Sequence, residues 1–245
     1  MTKLSDRLQL IADQIQKGET MADIGTDHGF LPIYLREEDI CPQVIMTDIS
    51  EPSLQKAKGY AGAFQFGSEM DFRAGNGLQV LESGEVDNVV IAGMGGILMT
   101  EILGDDIAKS RSFKRFVFQP RNHSEILRWW LTKNGFIITD NLLVREGKFI
   151  CEIIVARPAD TDAAQEDTDY RDEPDGKSCG IPPENDICWI LPDDLGANDP
   201  DLRREYIQRL QHTEEKILAG MKKSKETDEE AMRCVEERIE YLKGV

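Results

Sequence analysis

Cysteine is scarce and unpatterned in this 245-residue sequence: its 5 cysteines, at positions 41, 151, 179, 188 and 234, form no Cys-x-x-Cys pair, and their number is odd. A disulfide framework and a structural zinc site are therefore not expected, nor is any other metal site. Long hydrophobic runs are missing too. None reaches the roughly 18 apolar residues that span a bilayer. The first 20 residues carry Asp6, Asp13 and Glu19 and offer no continuous apolar stretch before a small-residue cleavage site. Neither a membrane partner nor a secretory signal is expected, and the cytoplasm is the default address. Positive charge is the third deficit. The 29 Lys and Arg residues against 46 Asp and Glu leave a net charge of −17, which by itself argues against a nucleic-acid partner.

What is present is the balance of a globular protein, with 40% hydrophobic and 31% charged residues. The length fits one large α/β domain, or a smaller one with an appendage, and either can bury a core. The acidity is concentrated. Residues 159–200 hold 13 acidic and 2 basic side chains, against 22 and 17 in residues 1–158 and 11 and 10 in residues 201–245. Rich in Asp, Glu, Pro and Gly and without a sustained period, 159–200 reads as a linker or irregular segment between two units. Within it, Ile187, Trp189, Ile190 and Leu191 are apolar enough to dock on something.

Residues 1–158 alternate apolar runs with helical patterns, as in successive βαβ units. An amphipathic helix comes first, with Leu4, Leu8, Ile11 and Ile15 on one face. Strands are predicted at 20–25, 43–48, 70–74, 88–93 and 115–119, with helices between them, Ser50 a candidate N-cap, and Pro32 and Pro52 in first helical turns. GFIITDNLLV and KFICEIIVA, joined through Arg145-Glu146-Gly147, read as an antiparallel hairpin. Five strands and a hairpin make the seven-stranded sheet of the class I methyltransferase variant of the Rossmann-like α/β fold. In 201–245, Leu202, Ile207, Leu210, Ile217 and Met221 and then Met232, Val235, Ile239 and Leu242 predict an antiparallel helical hairpin of coiled-coil type.

Open parallel sheets bind ligands at the carboxyl ends of their strands, so the loops there carry the functional signal. After the first strand comes Asp23-Ile-Gly-Thr-Asp-His-Gly29, in which Gly25 and Gly29 permit a tight turn against a ligand. Asp27 stands where a dinucleotide fingerprint has its second glycine, and its charge would repel a pyrophosphate. A cationic ligand with an amino-acid end, such as S-adenosyl-L-methionine, tolerates that charge. The second strand ends in Asp48, followed by Ile49; this carboxylate can accept two hydrogen bonds from a ribose diol or can simply face a helix dipole. Asn76 and Gly77 follow the third strand, where an amide can pair with an adenine edge or merely form a turn. The fourth runs into IAGMGG, residues 91–96, whose glycines suit main chain passing against a ligand, or a tight strand-to-helix turn. All four signals occur in order, at successive strand ends.

With SDRLQLIA, MADIGTDHGFLP, TDIS, GNGL, IAGMGG and FQPRNH in place over residues 4 to about 158, the chain resembles the TrmK family of bacterial tRNA adenine N1-methyltransferases. The resemblance implies a Rossmann-like methyltransferase domain over 1–158, a C-terminal helical hairpin over 201–245, and methyl transfer from S-adenosyl-L-methionine to N1 of adenosine 22 in tRNA. It also implies residue roles. Asp23, Gly25, Asp27, His28 and Gly29 would form the methionine side of the cofactor site, with Asp48 and Ile49 at the ribose and Asn76 and Gly77 at the adenine. Ala92 and Gly93 would continue the cofactor wall, and Met94 and Gly95 would lie at the reacting groups. Arg7 closes over the pocket or, the slightly favoured reading, is a surface charge; His28 orders its loop or takes part in catalysis. The acidic 159–200 segment departs from the family pattern.

A tRNA partner requires cations. Residues 107–133 supply Lys109, Arg111, Lys114, Arg115, Arg121, Arg128 and Lys133 against the single acid Glu125. With Asn122, the residues at 109, 111, 114, 115 and 121 are the expected substrate-binding set, flanking the loops after the fourth and fifth strands; an ordinary solvated face would show the same run. Lys222, Lys223 and Lys225 add charge at the predicted tip of the hairpin. A monomer is expected. Two other readings stay open: a methyltransferase acting on a small molecule or protein, and a non-catalytic nucleotide-binding scaffold.

Overall fold

A computed structural model describes residues 2–160, 187–223 and 228–245. The chain opens with α1 (Asp6–Ala12), capped by the Ser5 hydroxyl, which accepts from the Leu8 N–H. The helix is shorter than its apolar stripe predicts, and Ile15 is buried from the turn that follows. Then come β1 (Met21–Ile24), α2 (Phe30–Glu37), β2 (Val44–Asp48), α3 (Glu51–Ala61), β3 (Asp71–Ala74), β4 (Asn88–Met94), α4 (Gly96–Gly104), α5 (Ile107–Ser110), β5 (Arg115–Pro120), α6 (Ser124–Lys133), β6 (Phe136–Glu146) and β7 (Phe149–Pro158). The strands form one seven-stranded sheet, ordered β3-β2-β1-β4-β5-β7-β6. β1 to β5 are parallel, while β7 runs antiparallel to both β5 and β6.

Two local expectations need correction. No α-helix lies between β3 and β4, where only a 3-10 turn, Gly77–Val80, crosses the sheet. That crossover contains Gly75, Gly77 and Gly84, and Gly77 and Gly84 take positive φ, which suits turns and not a helix. The β6–β7 turn is also tighter than predicted. Arg145 and Glu146 are paired strand residues, leaving Gly147 (φ 58°) and Lys148 as a two-residue loop with its positive φ at the first position, as in a type II′ hairpin.

Alternation along the strands divides the core between two faces. Val89, Ile91, Phe116 and Phe118 point toward α4 and α6, where Met99, Leu103, Leu127 and Leu131 meet them. Val90, Val117 and Ile153 point the other way, onto Ile11, Ile33, Leu35 and Ala57 of α1, α2 and α3.

Beyond the sheet, α7 (Ile187–Ile190) leads to α8 (Pro200–Met221) and α9 (Glu229–Gly244). These last two are antiparallel, held by pairs such as Arg238–Glu214 at 3.0 Å and Lys222–Glu236 at 2.9 Å. A third apolar cluster, with Leu191, Leu195, Leu202, Ile207 and Leu242 around Leu143 of β6, seats the helices on the sheet edge. The Asn198 side chain accepts from the Leu143 N–H at 3.1 Å and donates to its carbonyl at 2.8 Å, completing an edge strand that would otherwise offer free backbone groups. Residues 187–199 thus dock on the domain, with Leu191 and Leu195 in this cluster and Asn198 on the edge strand. The remainder of the expected linker, 161–186, lies outside the described residues.

One member of the basic run is part of this joint. Arg128 is 1% exposed. It donates to Asn141 Oδ1 at 2.8 Å, to the Trp189 carbonyl at 2.9 Å and to Glu152. Glu152 accepts further from the Ser124 hydroxyl at 2.9 Å and the Tyr206 hydroxyl at 2.6 Å. Burial, and then the Glu152 charge, push the Tyr206 phenol well above its ordinary range, so it donates to the carboxylate throughout. Arg128 thus ties α6, the sheet and the hairpin together instead of facing a ligand.

Candidate active site

The loops after β1 to β5 converge at the carboxyl ends of the strands on a cavity of about 560 Å³. Asp23, Gly25, Asp27, His28, Asp48, Ile49, Asn76, Gly77, Ala92, Gly93 and Met94 all line it. Gly29 and Gly95 are not part of its lining. Gly29 (φ 71°) caps α2 behind the pocket, where a Cβ would stand 3.0 Å from the Met46 sulfur. Gly95 has an unremarkable φ of −76° and precedes α4, so it supplies no special backbone conformation. Gly25 and Gly96 make closer approaches than Gly95 does. Gly25 takes φ 81°, which L side chains rarely adopt, and lies beneath Met94, whose methyl would stand 2.3 Å from an added Cβ. At Gly96 a Cβ would stand 2.0 Å from the His123 carbonyl oxygen, fixing α4 against the loop after β5.

Three carboxylates shape one side of the cavity. Asp48 is aimed by its own loop, accepting from the Ser50 N–H at 2.7 Å and, more distantly, from the Asp27 N–H at 3.4 Å. Asp27 sits at φ 45° and takes the His28 ring nitrogen at 2.7 Å and the Lys56 ammonium at 3.4 Å. His28 also stacks on Phe30 with ring centroids 5.3 Å apart, so its partners are those of a loop-ordering residue. Asp23 is 7% exposed and accepts from the Thr26 hydroxyl at 2.7 Å. Burial, offset in part by that hydrogen bond and reinforced by the nearby Asp48 charge, raises its pKa from 3.8 to about 6. A buried carboxyl poised in this way gains most from a cation placed beside it.

Across the cavity stand two arginines. Arg7, slightly favoured as a surface charge from sequence, lines the pocket: Nη1 donates to Gln119 Oε1 at 3.1 Å, and Nε to Glu146 at 3.2 Å. Glu146 loses solvation by burial, yet the Ser5 hydroxyl and Arg7 outweigh this and hold its carboxyl below the usual range, so it stays charged. Arg121 also lines the cavity, beside Gly93, and its side chain has no hydrogen bond or ion pair among the described residues. Phe30 at the start of α2 and Leu98 and Ile102 of α4 add apolar surface to the lining.

The expected substrate-binding set is divided by the fold. Arg121 is at the pocket, and Asn122 lies just behind it, with Oδ1 2.8 Å from where a Cβ on Gly95 would be. Lys109, Arg111, Lys114 and Arg115 are at the opposite, amino-terminal end of the sheet, because α4 and α5 carry the chain back there before β5 begins. Lys114 pairs with Asp87 and Arg115 with Glu19 at 2.9 Å, both acids preceding strands, while Arg111 donates to the Asn134 carbonyl. The structure thus separates these four from the loops they were expected to flank.

A doubly wound sheet with an antiparallel β7 inserted between β5 and β6, and with its loops gathered on one cavity, defines a class I methyltransferase. In accord with this, a family profile described as a methyltransferase domain matches residues 4–154. A tRNA (adenine(22)-N(1))-methyltransferase of Bacillus subtilis is 31% identical over 99% of this chain and 97% of its own length. The crystal structure of the B. subtilis m1A22 tRNA methyltransferase TrmK superposes with a TM-score of 0.79 at 27% identity, covering 100% of this chain and 99% of that one. A Streptococcus agalactiae protein of the NADB-Rossmann superfamily gives 0.81 at 27% identity, covering 99% and 96%. The chain belongs to the tRNA (adenine(22)-N(1))-methyltransferase family.

Proposed function

We propose that this protein transfers the methyl group of S-adenosyl-L-methionine to N1 of adenosine 22 in tRNA. The observation that carries the reading is the joint arrangement of Asp23, Asp48 and Asn76 around one cavity, in a chain that matches a tRNA (adenine(22)-N(1))-methyltransferase along nearly its whole length. The residues fit the cofactor. Asp48, already held by a backbone N–H, suits a ribose diol; Asn76 suits an adenine edge; the buried Asp23 suits the ammonium of an amino-acid end. When bound, the cofactor supplies an electrophilic sulfonium methyl group.

The chain's own residues have little proton chemistry to perform. Adenine N1 carries an in-plane lone pair and is unprotonated at neutral pH, so no general base is required. What remains is alignment and exclusion of water. Gly93 and Met94 bring main chain to the wall beside Arg121, and Leu98 and Phe30 add apolar surface to the lining. N1 of a paired adenine is engaged by its partner base, so the nucleotide must leave its stem to reach the cavity. The cytoplasm and a monomeric state remain part of the proposed reading.

Incubating the protein with unmodified tRNA transcript and labelled cofactor, then mapping the methylated nucleoside, tests this directly. Label at N1 of adenosine 22, lost when that position is changed to guanosine, is the expected result. Label elsewhere, or none, refutes it.

A further inference from the structure

The surface around the pocket continues past the parallel strands. Because β7 runs antiparallel to β5, its first residues rise at the pocket end of the sheet, and the β6–β7 turn crests there. Contacts connect this turn in both directions. Toward the pocket, Glu146 receives both the N–H and Nε of the cavity-lining Arg7, each at 3.2 Å. Toward the hairpin, Arg209 of α8 donates to the Lys148 carbonyl at 2.7 Å.

At the top of the crest, Phe149 is 61% exposed, more than any other aromatic side chain among the described residues. The Lys148 ammonium lies 5.2 Å from its ring centroid and has no ion pair among the described residues. A ring held outside the core by a two-residue turn contributes little to packing. An exposed aromatic ring beside a cation that has no ion pair among the described residues is what an unpaired nucleotide requires, the ring face away from the ammonium for its base and the cation for its phosphate. Nearby charge narrows the path. Arg7 and Arg209 meet Glu146 and Glu205 at the crest, whereas the adjoining groove between α1 and α8 presents Asp6, Asp13, Asp199, Asp201 and Glu205 against the single cation Arg145, an excess of acid that repels phosphate.

We infer that Lys148 and Phe149 form an RNA-contacting crest between the pocket and the helical hairpin, on which an unpaired nucleotide of the substrate stacks. This deepens the reading under Proposed function and rests on it.

The test uses the full chain and a tRNA transcript, with RNA affinity, cofactor affinity, melting temperature and single-turnover methylation measured together. Phe149→Ala should weaken RNA binding about tenfold, within the range known for base–aromatic stacking, while Phe149→Trp restores it. Lys148→Gln should lower the slope of log affinity against log salt by about one. Cofactor affinity, melting temperature and the rate at saturating RNA should not change. RNA affinity unchanged in both crest variants, or lost only on charge reversal at Lys109 and Arg111, overturns the inference while the wild type still methylates. A wild type that neither binds nor methylates the transcript overturns the functional reading and this inference together.

Discussion

Asp23→Asn should make the free protein more stable while impairing its use of cofactor. The native carboxyl has a pKa of about 6, against 3.8 for its ordinary value, chiefly because burial penalises the charged form. Below pH ~4 it is protonated in both folded and unfolded chains and no penalty exists. Between about pH 4 and 6 the unfolded chain releases its proton first, so stability falls as pH rises; above about pH 6 both states are charged and the loss is complete. A difference of this size corresponds to roughly 3 kcal/mol at neutral pH. Asparagine removes the charge and keeps an oxygen for the Thr26 hydroxyl, which now donates at 2.7 Å. Some of the gain is offset because the new amide N–H needs an acceptor, so ~1–3 kcal/mol is expected.

Urea unfolding of the wild type and variant at several pH values from 4 to 8 isolates this contribution together with its coupling to Asp48, since titrating groups that do not interact with Asp23 cancel in the difference. The variant's advantage should be near zero at pH 4, grow through pH 5, and level off above pH 6. Its S-adenosyl-L-methionine affinity at pH 8 should be lower by ~1.5–3 kcal/mol, the magnitude of a hydrogen bond to a charged group. In the wild type, affinity should rise with pH up to about 6 and then flatten, because an ammonium partner favours the ionised carboxylate. A stability difference independent of pH, or a variant less stable than wild type at pH 8, would refute the assignment of a buried, electrostatically costly Asp23.

Asp48→Ala removes the carboxylate that the Ser50 N–H orients; calorimetry should show S-adenosyl-L-methionine binding weakened by ~1–3 kcal/mol, and an unchanged dissociation constant in a folded variant counts against the ribose role. Gly95→Val is compatible with the observed φ of −76° but displaces the Asn122 side chain, so melting should change little while single-turnover methylation falls about tenfold or more; a normal rate removes any role for this loop segment in alignment. Arg128→Leu leaves Glu152 buried without its cation and should destabilise the protein by ~3–5 kcal/mol in chemical unfolding, whereas a loss below ~1 kcal/mol would show that the joint does not depend on this ion pair.

The sheet was legible because its central strands are short apolar runs bounded by Asp or Gly, and MADI before Gly25, VIMTD ending in Asp48 and NVVIAGM before Gly95 lie where those patterns predict. The cofactor-side loops were legible for a related reason: main chain must turn tightly there, so Gly25, Gly77 and Gly93 carry positive φ that glycine accepts most readily. Side chains brought in over long sequence distances were harder to place. Arg7 reaches the pocket because Glu146, 139 residues away, holds it there. Arg128 belongs to a charged run in sequence, yet Asn141, Glu152 and Trp189 surround it in space. Apolar composition at 187–191 marked a docking segment but could not identify its seat: α7 packs against α6, where Arg128 donates to the Trp189 carbonyl, and Leu191 joins the cluster around Leu143 of β6.

The basic run shows a more general limit. In a parallel sheet each helix returns the chain from the carboxyl to the amino end of the strands, so residues just before a strand and just after it stand at opposite ends of the domain. Lys114 and Arg121 are separated by the length of β5 for this reason, and one local count of positive charge covered two unrelated surfaces. Antiparallel strands reverse the rule. The β6–β7 turn belongs to the pocket end although it lies 26 residues after Arg121 in the chain, with Gly147 at its tip. Charge near a catalytic sheet must therefore be assigned to an end of the sheet before it is assigned to a ligand. Applied here, that rule leaves Arg121 and Arg7 at the cavity, Lys56 beside Asp27, and Lys148, Arg145 and Arg209 at the crest as cations of the active end, despite the net charge of −17 on the whole chain.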